Sequence, residues 1–180
     1  MPYNFGPAYR DEGIVFGASR PGYGGENVSP AEVQEWIRFM RDQGIERVVC
    51  LLPPSQLSCY REDLLKSYCE TFGSDNVRHA PIKDFHLSTP ENLQCVLGFL
   101  EETKTLGRRV VVHCSGGSGR TGHVLAAWLV HARGLDPYAA IKAVERAAPP
   151  RCPREAVNAG NATEDELIGL LSGARPARGG

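Results

Sequence analysis

Val110-Val-Val-His-Cys-Ser-Gly-Gly-Ser-Gly-Arg-Thr-Gly122 is the stretch that decides how this chain is read. Three β-branched residues, Val110 to Val112, lead through His113 and predict a short buried strand ending at Cys114. Ser115, Gly116, Gly117, Ser118 and Gly119 then permit a tight turn whose backbone N–H groups converge on one anion. A strongly apolar helix is predicted from Thr121 to Arg133, with its positive N-terminal end aimed at the same point. Arg120 adds a planar fork able to hold two phosphate oxygens at once. Helix N-termini and nearby cations favour a thiolate over a thiol, so Cys114 is expected to face the bound anion as a nucleophile. A lone glycine-rich turn would be read as a plain connection with an incidental cysteine. The nucleophile, the five small residues and the arginine occur together here, between a strand and a helix. The nucleotide-binding pattern GxxxxGK[ST] is absent.

Outward from this stretch, strands and helices alternate. Ile14–Gly17 predicts a short strand, followed by the Gly/Pro loop Ala18–Asn27. Ser29 caps a helix with Pro30 in its first turn, and Val33, Trp36, Ile37 and Met40 recur at helical spacing until Gly44. Arg47–Leu52 and Val77–Ile82 predict strands. Helices are predicted over Glu62–Phe72, from Thr89-Pro90 through Thr105, over about 137–147 and over 163–172. Trp36 and Trp128 fall in helical stripes and are expected in the core, as are Cys50, Cys69 and Cys95. This order predicts one α/β domain with a central, largely parallel sheet flanked by helices on both faces. Residues 1–12 and 173–180 read as loose ends.

Composition narrows the classes. The 180 residues are 42% hydrophobic and 23% charged, with a formal net charge of −1. That balance argues against nucleic acid and anionic membranes as general partners. The six cysteines form no CxxC pair, so neither a zinc ribbon nor a dithiol redox motif is expected. The N-terminus lacks a signal-peptide pattern, and the apolar stretch Val124–Val130 is far too short to span a bilayer. A reducing cytoplasm is the expected location, where the thiol of Cys114 would stay reduced.

His113-Cys114-x5-Arg120-Thr121-Gly122 resembles the signature of the protein tyrosine phosphatase superfamily, and the short alternating layout is most similar to its compact dual-specificity branch. The resemblance covers roughly residues 13–172, leaving 1–12 as an N-terminal extension and 173–180 as a flexible tail. It implies hydrolysis of phosphate monoesters through a phosphocysteine intermediate, without metal or cofactor. It further implies phosphotyrosine in proteins as the substrate, with phosphoserine and phosphothreonine beside it, and a monomer acting on phosphorylated proteins or peptides. A small-molecule or RNA 5′-phosphate substrate is the alternative, and a non-catalytic phosphoprotein-binding module or a sulfur transferase the remaining ones.

The chemistry needs an acid for the leaving oxygen and then a base for water, and one carboxylate can serve as both. Asp84, thirty residues before Cys114 in Ile82-Lys-Asp-Phe-His-Leu-Ser-Thr-Pro90, matches the loop on which compact relatives carry it. Asp63 and Asp75 are fallback carboxylates. By analogy the His113 ring bonds the local backbone and helps set the thiolate, and Thr121 is a candidate to hydrogen-bond the Cys114 sulfur or to cap its helix. His86 reads as a surface histidine, and Arg20–Tyr23 as a plain connecting loop. Cys59 or Cys152 would be the partner were Cys114 protected by a disulfide. Arg151, Arg154, Asn158 and Asn161 lie where relatives position water, and none is assigned a role. The cradle lacks the lysines of relatives acting on highly charged lipid headgroups.

Overall fold

In the computed structural model, which describes residues 1–147, 149 and 151–176, the strand Arg109–Cys114 lies at the centre of the sheet. The strands are β1 (Gly6–Pro7), β2 (Val15–Ser19), β3 (Ile45–Cys50), β4 (Val77–His79) and β5 (Arg109–Cys114). They run in the order β1-β2-β5-β3-β4, with β1 antiparallel to β2 and every other pair parallel.

The two-residue period of β5 divides its side chains between two cores. Val110, Val112 and Cys114 join the apolar cluster made with helices α4 (Pro90–Thr105), α5 (Gly119–Arg133), α6 (Pro137–Arg146) and α8 (Glu164–Ser172). Val111 joins the other, with Trp36, Ile37 and Met40 of α1 (Pro30–Asp42) and Leu64 and Tyr68 of α3 (Leu64–Phe72). Both faces are therefore covered, and α5 is buried around most of its circumference. Two short helices complete the fold, α2 (Pro54–Leu57) and α7 (Glu155–Asn158). Each has four residues, too few for apolar periodicity to reveal.

The long helices begin where the sequence places caps. Ser29 forms a reciprocal capping box with Glu32, Asp63 accepts from the Lys66 amide and Thr89 from the Asn92 amide. Asp136 accepts from the amides of Tyr138 and Ala139, and Thr163 pairs with Glu166. Each such cap contributes about 1 kcal/mol. Among the described residues, α5 is the one long helix without a side-chain cap. Among the described residues, no helix is long and apolar enough to cross a membrane.

Three expectations change. The first twelve residues are packed: Gly6–Pro7 pairs with β2, Phe5 and Ala8 are buried, and the Phe5 ring stacks on Phe16 with centroids 5.1 Å apart. Glu12 accepts from the Trp128 indole at 3.2 Å, fastening this segment to α5. Apolar contacts separated by a dozen residues or more leave no periodic trace in so short a segment. In the tail, Ala174 is buried and its carbonyl accepts from His131 Nδ1 at 2.9 Å; residues 177–180 lie outside those described. Cys95 is exposed and Cys69 half-buried, whereas Cys50 is in the core.

Phe5→Ala should lower the unfolding free energy by about 3 kcal/mol, measurable by urea denaturation. A loose N-terminal segment would give no change.

Candidate active site

The turn after β5 works through its carbonyls. The Ser115 carbonyl accepts from the Arg20 amide at 2.9 Å and the Gly116 carbonyl from Asn4 Nδ2 at 2.9 Å. The Gly117 carbonyl takes Arg151 Nη1, and that of Ser118 the Gly122 amide at 2.7 Å. Four successive carbonyls are thus held outward, which turns the amides of residues 116–119 toward the opposite, concave side. Among the described residues, no backbone or side-chain acceptor takes those four amides. Unpaired N–H groups converging at an uncapped helix start make an anion site. Gly117 is required twice over: its φ is +72°, and a Cβ there would lie 2.5 Å from the Ala18 backbone.

Cys114 is buried at the base of a cavity of about 290 Å3 whose walls include Tyr23, Asp84, Phe85, Arg120 and Glu155. A larger hollow of about 490 Å3 beside His86, Leu93 and Leu170 contains neither Cys114 nor Arg120. The Arg120 guanidinium is buried and held by three partners: Nη2 meets Asp84 Oδ1 at 2.9 Å, and Nη1 donates to Gln56 Oε1 at 2.8 Å and to the Ile82 carbonyl at 3.2 Å. Gln56 closes the triangle by donating to Asp84 Oδ2 at 2.9 Å. The structure thus brings Asp84, Arg120 and Cys114 to one cavity. Asp63 is a helix cap, and the Asp75 carbonyl accepts from Arg47.

The Asp84 turn is held from several sides. His86 Nδ1 donates to the Asp84 carbonyl at 2.7 Å, so His86 is part of the turn rather than a bare surface residue. Phe85 adopts a left-handed φ of +57°, and its carbonyl accepts from Asn161 Nδ2 at 3.0 Å. The loop after β2 also borders the cavity, because Tyr23 packs over Gly116. Arg20 is buried and donates to the Gly25 carbonyl at 2.7 Å and to Ser115 Oγ at 3.3 Å.

Two buried imidazoles flank the turn. His113 packs between Trp36 and Tyr68. Its Nδ1 donates to the Cys114 carbonyl at 3.3 Å, and its Nε2 accepts from the Tyr68 hydroxyl at 3.1 Å. Burial pushes its pKa down to about 3, so the ring is neutral, as both bonds require. On the other face His123 Nε2 accepts from the Ser88 amide at 3.1 Å, and its ring also hydrogen-bonds the Gly119 backbone. Burial lowers this pKa to about 4. His123 thereby joins the segment after Asp84 to the start of α5.

Thr121 departs from both of its expected roles. Among the described residues its buried hydroxyl has no hydrogen-bond partner, neither the Cys114 sulfur nor a backbone amide, and its methyl group lies against Gly17 of β2. Arg151 is the largest element that sequence reasoning left unassigned. Nearly buried, it donates to the carbonyls of Gly117, Asn4, Gly6 and Gly17. Burial lowers its pKa to about 10, which leaves it cationic at neutral pH. Arg154 instead pairs with Glu145 and Glu164 at the surface. All six cysteines are free. Gln56, Glu155, His123 and Asn4 also escaped the sequence reading; no motif marks them, since what each meets at the site is distant in sequence.

A mostly parallel sheet, a strand–turn–helix carrying Cys114 and Arg120, and a cavity lined by inward amides define the class of cysteine-dependent tyrosine and dual-specificity phosphatases. The chain belongs to the family described as polymorphic toxin system, DSP-PTPase phosphatase, which matches residues 22–134. It is similar to two uncharacterized proteins of Methanocaldococcus jannaschii, 44% and 40% identical over 50 residues each. Each match covers 28% of this chain, and the chain spans about a third of those relatives' own length, 34% and 31%. Among solved structures it is similar to Tk-PTP in its active form, with a TM-score of 0.70 and 28% identity over 96% of this chain and 98% of that one. Kinase associated phosphatase, at 21% identity and a TM-score of 0.64, shares the fold over 87% of this chain and 83% of its own.

The two neutral histidines fix an acid dependence. Their folded pKa values lie below the ordinary 6.5, so the stability they contribute is complete above that value. It is lost as pH falls through about 4 for His123 and about 3 for His113. Between pH 7 and pH 4 the unfolding free energy should drop by roughly 3 kcal/mol per histidine. His123→Gln, which can accept from Ser88 without titrating, should flatten that slope in urea titrations; an unchanged slope would contradict the assignment.

Proposed function

We propose that this protein hydrolyses phosphate monoesters through a phosphocysteine formed at Cys114, with phosphotyrosine in proteins as its main substrate. The observation that carries the reading is the set of four outward carbonyls, which leaves four amides facing a cavity with Cys114 at its base and Arg120 at its wall. A phosphoryl group seated there meets N–H donors on its equatorial oxygens. The Cys114 sulfur then faces phosphorus, opposite the leaving oxygen. Donors already in place stabilise the charge of the transition state without reorganisation.

Attack by the Cys114 thiolate forms the S–P bond as the P–O bond to the leaving group breaks. Asp84, on the cavity wall, gives that oxygen its proton. In the second step water attacks phosphorus and gives its proton to a carboxylate of the cavity, as the S–P bond breaks and the thiolate is regenerated. Arg120 holds Asp84 at 2.9 Å; an incoming phosphate competes for the same guanidinium, freeing the carboxyl to turn to the leaving group. His113 and Arg151 support the turn from beneath, and the small residues 115–119 leave its amides accessible.

Two exposed aromatic side chains, Tyr23 and Phe85, stand at the cavity mouth. They offer faces against which an aryl ring can pack, which favours phosphotyrosine over the shorter alkyl esters of phosphoserine and phosphothreonine. The protein is expected to act as a monomer on phosphorylated proteins or peptides, in a reducing compartment where its six free thiols persist.

With p-nitrophenyl phosphate and no added metal, Cys114→Ser should abolish phosphate release. Asp84→Ala should reduce phosphotyrosyl-peptide hydrolysis by 10²- to 10⁴-fold, on the scale of general acid–base catalysis. Undiminished turnover by Cys114→Ser would overturn the mechanism.

A further inference from the structure

A second carboxyl reaches this cavity, and the two-step reaction as described leaves it idle. Glu155, on the short helix α7, lines the same walls as Cys114, Asp84 and Arg120. Its Oε2 lies so close over the turn that a Cβ on Gly119 would fall 1.8 Å from it. Only glycine at 119 therefore admits this carboxyl. The approach is held from behind: Arg151 binds the Gly117 carbonyl, and Pro153 packs on Gly122 of α5. The segment just before Glu155 is thus tied to both ends of the cradle.

An acidic side chain is out of place in an anion pocket unless it exchanges protons there. The two carboxyls differ in how they are matched. Asp84 has Arg120 on one oxygen and Gln56 on the other. Among the described residues, the Glu155 carboxyl has neither an ion pair nor a hydrogen bond. Partial burial and the charge of Asp84 raise its pKa, and Arg120 opposes them. The Cys152 thiol is a further titratable neighbour of this carboxyl, and burial with Asp84 outweighs Arg120, which favours uptake of a proton.

We propose that Glu155 is a second catalytic carboxyl of this site, the base that takes the proton from water as the phosphocysteine is hydrolysed. The inference rests on the phosphatase reading above. The water oxygen bonds to phosphorus, its proton passes to the Glu155 carboxylate, and the S–P bond breaks with its electron pair returning to the Cys114 sulfur. Phosphate leaves, and Glu155 gives its proton to solvent. Asp84 remains the acid of the first step, so each carboxyl has one task in place of one carboxyl having two.

Rapid-quench kinetics with p-nitrophenyl phosphate separate the steps. Glu155→Gln should keep a fast burst of one equivalent of nitrophenolate and then turn over 10- to 100-fold more slowly. Acid-quenched protein should carry phosphate on Cys114. Glu155→Ala should behave likewise, and retained vanadate binding would show that both variants keep the cradle. Asp84→Asn should instead slow the hydrolysis of phenyl phosphate, whose leaving group needs the acid. Glu155 variants that turn over at the parent rate, or that lose burst and steady state equally while binding vanadate, would overturn the role of Glu155 alone. A parent protein without Cys114-dependent turnover would overturn the phosphatase reading itself.

Discussion

Everything at this site depends on keeping the carbonyls of residues 115–118 turned away from the cavity. A peptide unit carries its N–H and C=O on opposite sides, so inward amides are available only where each carbonyl finds a donor behind the turn. Those donors come from far apart in the chain: the Arg20 amide, the Asn4 side chain, the Arg151 guanidinium and the first turn of α5. A buried carbonyl without a donor costs about 1–3 kcal/mol, enough to let the loop turn over and present oxygen to an anion. The packed N-terminal segment and the segment around Arg151 are therefore parts of the cradle, although neither needs to touch a ligand.

The two faces of the sheet brace the turn by the same device. His113, at the end of β5, reaches the α1–α3 face and bonds the Cys114 carbonyl. His123, one turn into α5, reaches the other face and joins Ser88 to Gly119. Each ring is used for directed hydrogen bonds and is kept neutral by burial. A charged imidazolium in either place would lose its acceptor nitrogen and with it one bond to the loops. Buried neutral histidine thus gives two opposed bonding directions with a planar, rigid side chain, which neither lysine nor arginine provides.

The sequence makes the local elements legible because their causes are local. Ser29, Thr89 and Thr163 cap helices, β-branched residues mark β5, and the Cys114–Arg120 spacing marks the turn. The fold class follows from the alternation of those elements, and Asp84 from its place between a strand and a Pro-started helix. What escaped was set by contacts distant in the chain. Nothing near Arg151 announces that both its terminal nitrogens serve backbone carbonyls rather than a carboxylate. Thr121 follows Arg120 as the signature requires, yet packing against Gly17 decides where its hydroxyl lies. Cys95 sits in an apolar-looking helix but falls on its outer face, and four-residue helices such as the one bearing Gln56 are too short to show a period.

The charge arrangement follows from how the arginines use their donors. Arg20 and Arg151 are buried beside the turn, and both donate to carbonyl oxygens. A carbonyl satisfies a guanidinium's hydrogen-bonding geometry without cancelling its charge, whereas a carboxylate does both. Their positive charge is therefore left to act on whatever lies in the cradle. Arg120 is the exception, since the Asp84 carboxylate pairs with it. On the proposed reading, a phosphate would thus meet two cations that position the loop and one already shared with Asp84. Sharing of that guanidinium would link phosphate binding to release of the Asp84 carboxyl.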